Sequence, residues 1–343
     1  MTAVTTAPSL TSSASSLATR EIVLSLPDDL RLASGERLPH ATLRARLVGP
    51  RQGPLVVVAG GVSAGRRVCD DAEGPGWWSW AVRAGGPLDT ARLRVLAFDW
   101  LPEPDIDRVV TITTHDQARL LALLLDHLRE PVIEAFVGAS YGGCVGLAFA
   151  ESFPARIGRL TVISAAHRAH PMATAWRGVQ RRLLALGLER GFETEAVALS
   201  RELAMTTYRS PEEFDQRFGE ARSAVAAGED FAVCAYLRAR GEAYRGHTSA
   251  RRWIALSDSL DRHHVEPARI ACPLTVAAVE SDRLVPIEDS RVLAAAAPRL
   301  ERLVEATSLF GHDAFLKERA FVGDALLSAL SPLYACPSQE IAA

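Results

Sequence analysis

The stretch Ile133-Glu134-Ala135-Phe136-Val137-Gly138-Ala139-Ser140-Tyr141-Gly142 decides how this chain is read. Ile133 to Val137 is a short, apolar, β-branched run, the pattern of a buried strand, and the spacing from Gly143 to Phe153 predicts a helix. Between them Gly138-Ala139-Ser140-Tyr141-Gly142 forms a GxSxG on the expected strand-to-helix turn. A serine held on so sharp a turn is pushed outward, the glycines remove side chains that would clash, and the helix N-terminus favours developing negative charge. Ser140 is therefore the candidate nucleophile, against the plainer reading of a tight packing turn.

Working outward, similar runs occur at Leu55 to Ala59, Arg94 to Phe98, Leu160 to Ile163, Leu274 to Val279 and again near Leu303. His115 to Leu128 has the apolar spacing of a helix, and Thr114 with Gln117 three residues later reads as its capping box. Strands alternating with helices imply an α/β fold, a mostly parallel sheet covered on both faces. The rhythm breaks after Ala166, where about a hundred residues show helical spacing and no convincing strand. We expect a flexible tail over residues 1–20, a core over 21–167 and 268–343, and a helical cap inserted at 168–267.

Composition narrows the function classes. The chain has 343 residues, 48% hydrophobic and 23% charged, with a net charge of −3. That is a globular composition with no electrostatic call for nucleic acid. No stretch approaches the ~20 apolar residues that cross a bilayer. The five cysteines, Cys69, Cys144, Cys234, Cys272 and Cys336, are odd in number and lack CxxC spacing, so neither a disulfide framework nor a cysteine zinc site is expected. A reducing cytoplasm is the expected compartment. The Ser/Thr/Ala-rich start lacks the basic and apolar regions of a secretion signal.

A serine at its ordinary pKa is a weak nucleophile and needs a base and an orienting acid, expected later in the chain. Asp282 follows the strand Leu274 to Val279, and His312 lies in Phe310-Gly311-His312-Asp313 after the last strand. Both sit on loops at strand C-terminal ends, where open α/β sheets place their sites. His312 is assigned as base and Asp282 as its orienting carboxylate. Asp289 and Asp258 compete with Asp282; His263 and His264 compete with His312 but read as a solvated polar face of the cap. That adjacent pair also suggests metal, yet neighbours point apart on any regular element and no third ligand is evident, so no metal is assigned. Oxyanion donors are expected from the Tyr141 amide and from Gly60-Gly61-Val62, with Gly61 and Val62 in the donor loop. The glycine pair reads equally as a structural turn. Trp77 and Trp78 read as core rather than site entrance, and Cys144 as packing.

With these residues in place, the chain resembles the homoserine O-acyltransferase family of the α/β-hydrolase superfamily. The likeness runs from about Leu55 through the core and includes Gly76-Trp77-Trp78, Gly86-Pro87-Leu88-Asp89-Thr90 and Thr111-Ile112-Thr113-Thr114-His115-Asp116. In the cap it includes Gln180-Arg181, Ser200-Arg201 through Ser210, Arg217-Phe218-Gly219 and Tyr236-Leu237, and near the end Gly311-His312-Asp313-Ala314-Phe315-Leu316. The resemblance implies a homodimer and a ping-pong reaction in which Ser140 takes an acyl group from acyl-CoA and passes it to the hydroxyl of L-homoserine. It implies no cofactor beyond acyl-CoA as co-substrate. By the same carry-over Arg201 and Tyr208 hold the amino acid, and Asp313 receives its ammonium, charges that suit a zwitterion.

Departures from the family pattern refine the expectation. Phe98-Asp99-Trp100 passes quickly through Leu101-Pro102-Glu103-Pro104, without the longer glycine-rich run of many acetyl-transferring members. The oxyanion loop reads Gly60-Gly61-Val62-Ser63-Ala64-Gly65-Arg66-Arg67 and resembles the succinyl-transferring branch. Succinyl-CoA is the expected donor, with Arg66 or Arg67 reading its terminal carboxylate; the alternative is that both arginines face solvent. The usual FD-N-like motif is replaced by Arg251-Arg252-Trp253-Ile254-Ala255-Leu256-Ser257-Asp258. Acetyl-CoA as donor and serine as acceptor therefore stay open, as do a hydrolase that releases the acyl group to water and a noncatalytic binding protein.

Overall fold

Short apolar segments that cannot expose either face build the centre of the computed structural model, which describes residues 19–220 and 230–334. In chain order the strands are β1 (Thr19–Ser25), β2 (Thr42–Val48), β3 (Leu55–Ala59), β4 (Val82–Arg83), β5 (Leu88–Asp89), β6 (Arg94–Phe98), β7 (Ala135–Ala139), β8 (Leu160–Ile163), β9 (Leu274–Val279) and β10 (Leu300–Ala306). Eight of them form one sheet in the order β1-β2-β6-β3-β7-β8-β9-β10, while β4 and β5 pair separately. From β6 to β10 every neighbouring pair is parallel; β1 and β2 add an antiparallel edge. Every residue of β3, β7, β8 and β9 is buried, which is why these strands read as unbroken apolar runs rather than alternating ones.

The helices are α1 (Thr114–Leu128), α2 (Tyr141–Ser152), α3 (Pro171–Arg190), α4 (Glu193–Tyr208), α5 (Pro211–Phe218), α6 (Ala232–Glu242), α7 (Ala250–Asp261), α8 (Ile287–Ala296), α9 (Ala314–Lys317) and α10 (Arg319–Tyr334). One core cluster gathers α1, α2 and one face of the sheet around Leu121, Phe136 and Phe149; another gathers the opposite face with Trp78 and α10 around Leu326. Between β8 and β9 the described chain is helical, α3 to α7, with its own small core of Leu184, Ala196, Val197 and Ala250. No helix among the described residues is long and apolar enough to cross a membrane.

Several local expectations need correction. The central strand runs Ala135–Ala139, two residues later than Ile133 to Val137, because Ile133 makes only an isolated bridge to Ile157 before the ladder begins. The N-cap of α1 is Thr113, not Thr114, and its capping-box partner is Asp116, not Gln117. Thr114 and Gln117 instead bond His263 and the Leu101 backbone. The expected tail lies outside the described residues up to residue 18, but Thr19 and Arg20 already pair with Val48 and Leu47 in β1. The last part of the expected core, 335–343 with Cys336, also lies outside them.

Candidate active site

The turn at Ser140 exists because only glycine fits on both sides of it. A Cβ on Gly138 would lie 2.3 Å from the Gly142 carbonyl oxygen, and one on Gly142 would lie 2.2 Å from that of Ala59. Between them Ser140 adopts φ 53° and ψ −121°, a left-handed backbone unusual for a residue with a side chain. The strand ends at Ala139 and α2 begins at Tyr141, so the hydroxyl stands at the C-terminal edge of the sheet.

The other two candidates arrive there from separate strands. Asp282 follows β9 and His312 follows β10, and the three form a continuous relay. Ser140 Oγ lies 2.8 Å from His312 Nε2, and His312 Nδ1 lies 2.7 Å from Asp282 Oδ2. Asp282 accepts at Nδ1–H, so Nε2 is left as the acceptor of the serine hydroxyl proton. The second oxygen of Asp282 accepts the Leu284 and Val285 amides at 2.9 and 3.0 Å, which fixes the carboxylate. Burial of the His312 imidazole disfavours its charge, but the Asp282 charge and hydrogen bond outweigh that and raise its pKa above the ordinary value. Asp289 and Asp258 stay out of the relay: Asp289 is in the first turn of α8, and Asp258 pairs with Arg262.

Tyr141 and Val62, expected to supply oxyanion donors, lie at the start of α2 and in the loop after β3, the two segments that flank Ser140. Among the described residues neither the Tyr141 amide nor that of Val62 is engaged in a hydrogen bond, while the Gly142 amide next to Tyr141 donates to Gly60. A Cβ on Gly61 would stand 3.9 Å from Ser140 Oγ, so the loop after β3 runs beside the nucleophile. The Tyr141 side chain points the other way, fully buried, with its hydroxyl 2.8 Å from Ser259 Oγ.

The nucleophile opens onto a cavity lined by Ser140, His312, Val62, Tyr208, Tyr244, Arg177, Arg252 and neighbours from α3, α4 and α7. Tyr208 stacks on His312 with ring centroids 6.0 Å apart. Arg201 does not border the cavity itself; its guanidinium lies over the rings of Tyr208 and Tyr244, 5.4 and 4.6 Å from their centroids. Asp313 also stands one layer back, 3.3 Å from Arg209, and burial raises its pKa against the pull of Arg209, His312, Arg201 and Lys317.

Arg66 and Arg67 do not reach the cavity, contrary to expectation. Arg66 is held by Asp99 at 2.5 Å and Glu21 at 3.0 Å, and Arg67 by Glu73 and Asp71, so local carboxylates already satisfy both. The arginines that do line it, Arg177 and Arg252, come from α3 and α7. Reading the sequence missed them, since an arginine on a cap helix looks solvated until the helix is docked. His263 also departs from the solvated face expected of it. It is buried between the Thr114 hydroxyl at 2.9 Å and the Ala166 carbonyl at 3.1 Å, and burial pushes its pKa down to about 3. His264 is exposed. Trp78 is fully buried and donates to the Phe315 carbonyl, while Cys144 lines the cavity with its thiol pushed up to about 12 by burial, far from a thiolate. Among the described residues no cluster of three or more His, Cys, Asp or Glu could hold a metal ion.

Residues 54–318 match the α/β hydrolase fold family. The chain is 42% identical to a homoserine O-succinyltransferase of Xanthomonas campestris pv. campestris, over 96% of this chain and 88% of that protein. It is 29% identical to a homoserine O-acetyltransferase of Clavibacter michiganensis subsp. michiganensis, over 87% of this chain and 90% of that one. The crystal structure of a homoserine O-acetyltransferase from Bacillus anthracis superposes with a TM-score of 0.83 at 13% identity, covering 92% of this chain and 97% of that one, a likeness of fold. The chain is an enzyme of the α/β-hydrolase fold and belongs to the homoserine O-acyltransferase family.

Proposed function

We propose that this enzyme transfers a succinyl group from succinyl-CoA to the hydroxyl of L-homoserine through an acyl-Ser140 intermediate. The observation that carries the reading is the charge of the cavity: among the described residues its lining includes two guanidiniums, Arg177, which Asp261 answers from outside the lining, and Arg252, and no carboxylate. An acetyl group offers nothing to such a lining, whereas a succinyl group brings a carboxylate that a guanidinium binds in bidentate fashion. The similarity to the Xanthomonas succinyltransferase supports the same donor.

In the first half-reaction Ser140 Oγ attacks the thioester carbonyl as His312 Nε2 takes the hydroxyl proton. The oxyanion is received by the Tyr141 amide and the amides of the Gly61-Val62 loop. Collapse breaks the C–S bond, and His312 returns the proton to the departing CoA sulfur. In the second half, His312 takes the proton of the homoserine hydroxyl, which attacks the acyl-serine ester, and Ser140 leaves with that proton restored. Asp282 holds the imidazole in the tautomer both halves need. Arg201, Tyr208 and Asp313 lie on the His312 side, where an acceptor must place its hydroxyl. We assign them the homoserine carboxylate and ammonium. No dissociable cofactor is required beyond the CoA thioester. The unpaired cysteines Cys69, Cys144, Cys234 and Cys272 support a reducing cytoplasmic setting, and the family resemblance supports a homodimer.

The test is CoA release from succinyl-CoA and from acetyl-CoA, each with homoserine, with serine and with no acceptor. Release that needs homoserine and is fastest from succinyl-CoA is expected. Release indifferent to acceptor would make the protein a hydrolase, and faster release from acetyl-CoA would overturn the donor. Serine differs from homoserine by one methylene, which a pocket discriminates by about 1–3 kcal/mol, so a 10- to 200-fold preference for homoserine is the range to look for.

A further inference from the structure

Arg177 and Arg252 are not equivalent. Arg177 is already neutralised: its Nε and Nη2 both reach Asp261 Oδ1, at 2.7 and 2.6 Å. Arg252 forms no ion pair among the described residues. Its Nε donates to the Pro102 carbonyl at 2.8 Å and its Nη2 to the Trp100 carbonyl at 3.0 Å, so its charge meets only neutral acceptors. The acidic neighbour that could have answered it, Asp99, is taken by Arg66. Burial pushes the Arg252 pKa below the ordinary guanidinium value, the mark of a cation held in the protein without a counter-charge.

Its position is equally specific. Trp100, which holds Arg252 through its carbonyl, donates its indole Nε1 to the Gly61 carbonyl at 3.0 Å and packs edge-on against Tyr141, with centroids 4.9 Å apart. Arg252 is thus tied by one residue to both sources of oxyanion amides. The acceptor residue Tyr208 stacks on His312, and Asp313 follows that histidine in the chain. Arg252 lines the same cavity as Ser140 and Val62, so an acyl chain whose carbonyl oxygen meets the oxyanion amides lies within the space that this guanidinium borders.

Resting on the succinyl-transfer reading above, we infer that Arg252 is the specificity residue that receives the terminal carboxylate of the succinyl group, with the Trp100 and Pro102 carbonyls fixing its guanidinium in the acyl arm of the cavity. The free N–H groups not used on those carbonyls remain to grip the carboxylate. The work assigned to Arg66 and Arg67 by sequence falls instead to a residue on α7.

The experiment compares kcat/KM for succinyl-CoA and for butyryl-CoA, which has a methyl group where succinyl has its carboxylate, at saturating homoserine. It is run on the wild type, Arg252→Gln, Arg252→Lys and Arg177→Gln, with thermal melting as a check on folding. The wild type should prefer succinyl-CoA. Arg252→Gln should lose about 100-fold or more on succinyl-CoA, the scale for removing one partner of a buried charge pair, with a much smaller loss on butyryl-CoA. The homoserine KM should hold. Arg252→Lys, which keeps a cation without the planar fork, should be intermediate and serves if the glutamine variant does not fold. Equal losses on both thioesters would overturn the assignment and leave Arg252 as a support for Trp100, as would a collapse of preference in Arg177→Gln instead. A wild type indifferent to the carboxylate would overturn the succinyl reading itself, a result visible before any variant is made.

Discussion

Asp282 touches His312 with one oxygen and the backbone of its own loop with the other. Oδ2 sits 2.7 Å from the imidazole Nδ1 while Oδ1 receives the Leu284 and Val285 amides. The carboxylate therefore cannot swing away, and its charge raises the His312 pKa above 6.5 in spite of burial. Two consequences can be measured. The acid limb of kcat/KM should have its midpoint above 6.5, with activity lost as pH falls through it, because protonated His312 cannot accept from Ser140. Asp282→Asn should move that limb downward and reduce kcat by about 10⁴-fold, the scale seen when the orienting acid of such a relay is neutralised. An unshifted limb in the variant would place the titration elsewhere.

The backbone at Ser140 is strained, and the strain is affordable only with glycine on either side. Gly142→Ala would place a methyl 2.2 Å from the Ala59 carbonyl oxygen, and Gly138→Ala one 2.3 Å from that of Gly142. Neither neighbour is a flexible side chain, so the strand or the helix must move. Each substitution should cost about 3 kcal/mol or more of stability and abolish acyl transfer. Thermal melting with a chemical-denaturation curve checks this; a variant that melts with the wild type would contradict the packing described.

His263 makes a second, independent prediction about pH. Its folded pKa is depressed to about 3 from 6.5, so it stays neutral in the native state while the unfolded chain takes up a proton below 6.5. The stability it contributes is complete above 6.5 and is lost as pH falls toward 3. Between pH 6.5 and 5 the wild type should lose about 2 kcal/mol through this group. His312, with its raised pKa, pulls the opposite way, losing stability as pH rises through its folded value, so the comparison must isolate His263. The stability of His263→Gln, measured by denaturation at both pH values, should fall by less than that of the wild type; parallel losses would contradict the buried neutral imidazole.

The parts legible in sequence are those where local chemistry and global position coincide. Ser140 and Asp282 could be found because each follows a strand buried along its whole length, and His312 because it lies in a Gly-His-Asp loop after the last strand, although that strand is charged and partly exposed. β1 and β2 were not found, because the antiparallel edge alternates buried and exposed residues and mixes in Arg20, Arg44 and Arg46, so it lacks the continuous apolar run of the central strands. His263 was misplaced because burial of a histidine depends on the Thr114 hydroxyl, 149 positions away in the chain. The arginines tell the same story. Arg66 and Arg67 stand beside the oxyanion loop in sequence, but Glu21 and Asp99 claim the first and Asp71 and Glu73 the second. Arg252 sits in a helix whose approach to Trp100 no local pattern announces.

The most direct test of the account is the intact mass of the protein after incubation with succinyl-CoA without acceptor, followed by addition of homoserine. The wild type should gain one succinyl group, located on Ser140 by peptide mapping, and lose it to O-succinylhomoserine when homoserine is added, while Ser140→Ala gains nothing. Succinyl transfer to homoserine with no adduct on Ser140, or in the alanine variant at the wild-type rate, would contradict it.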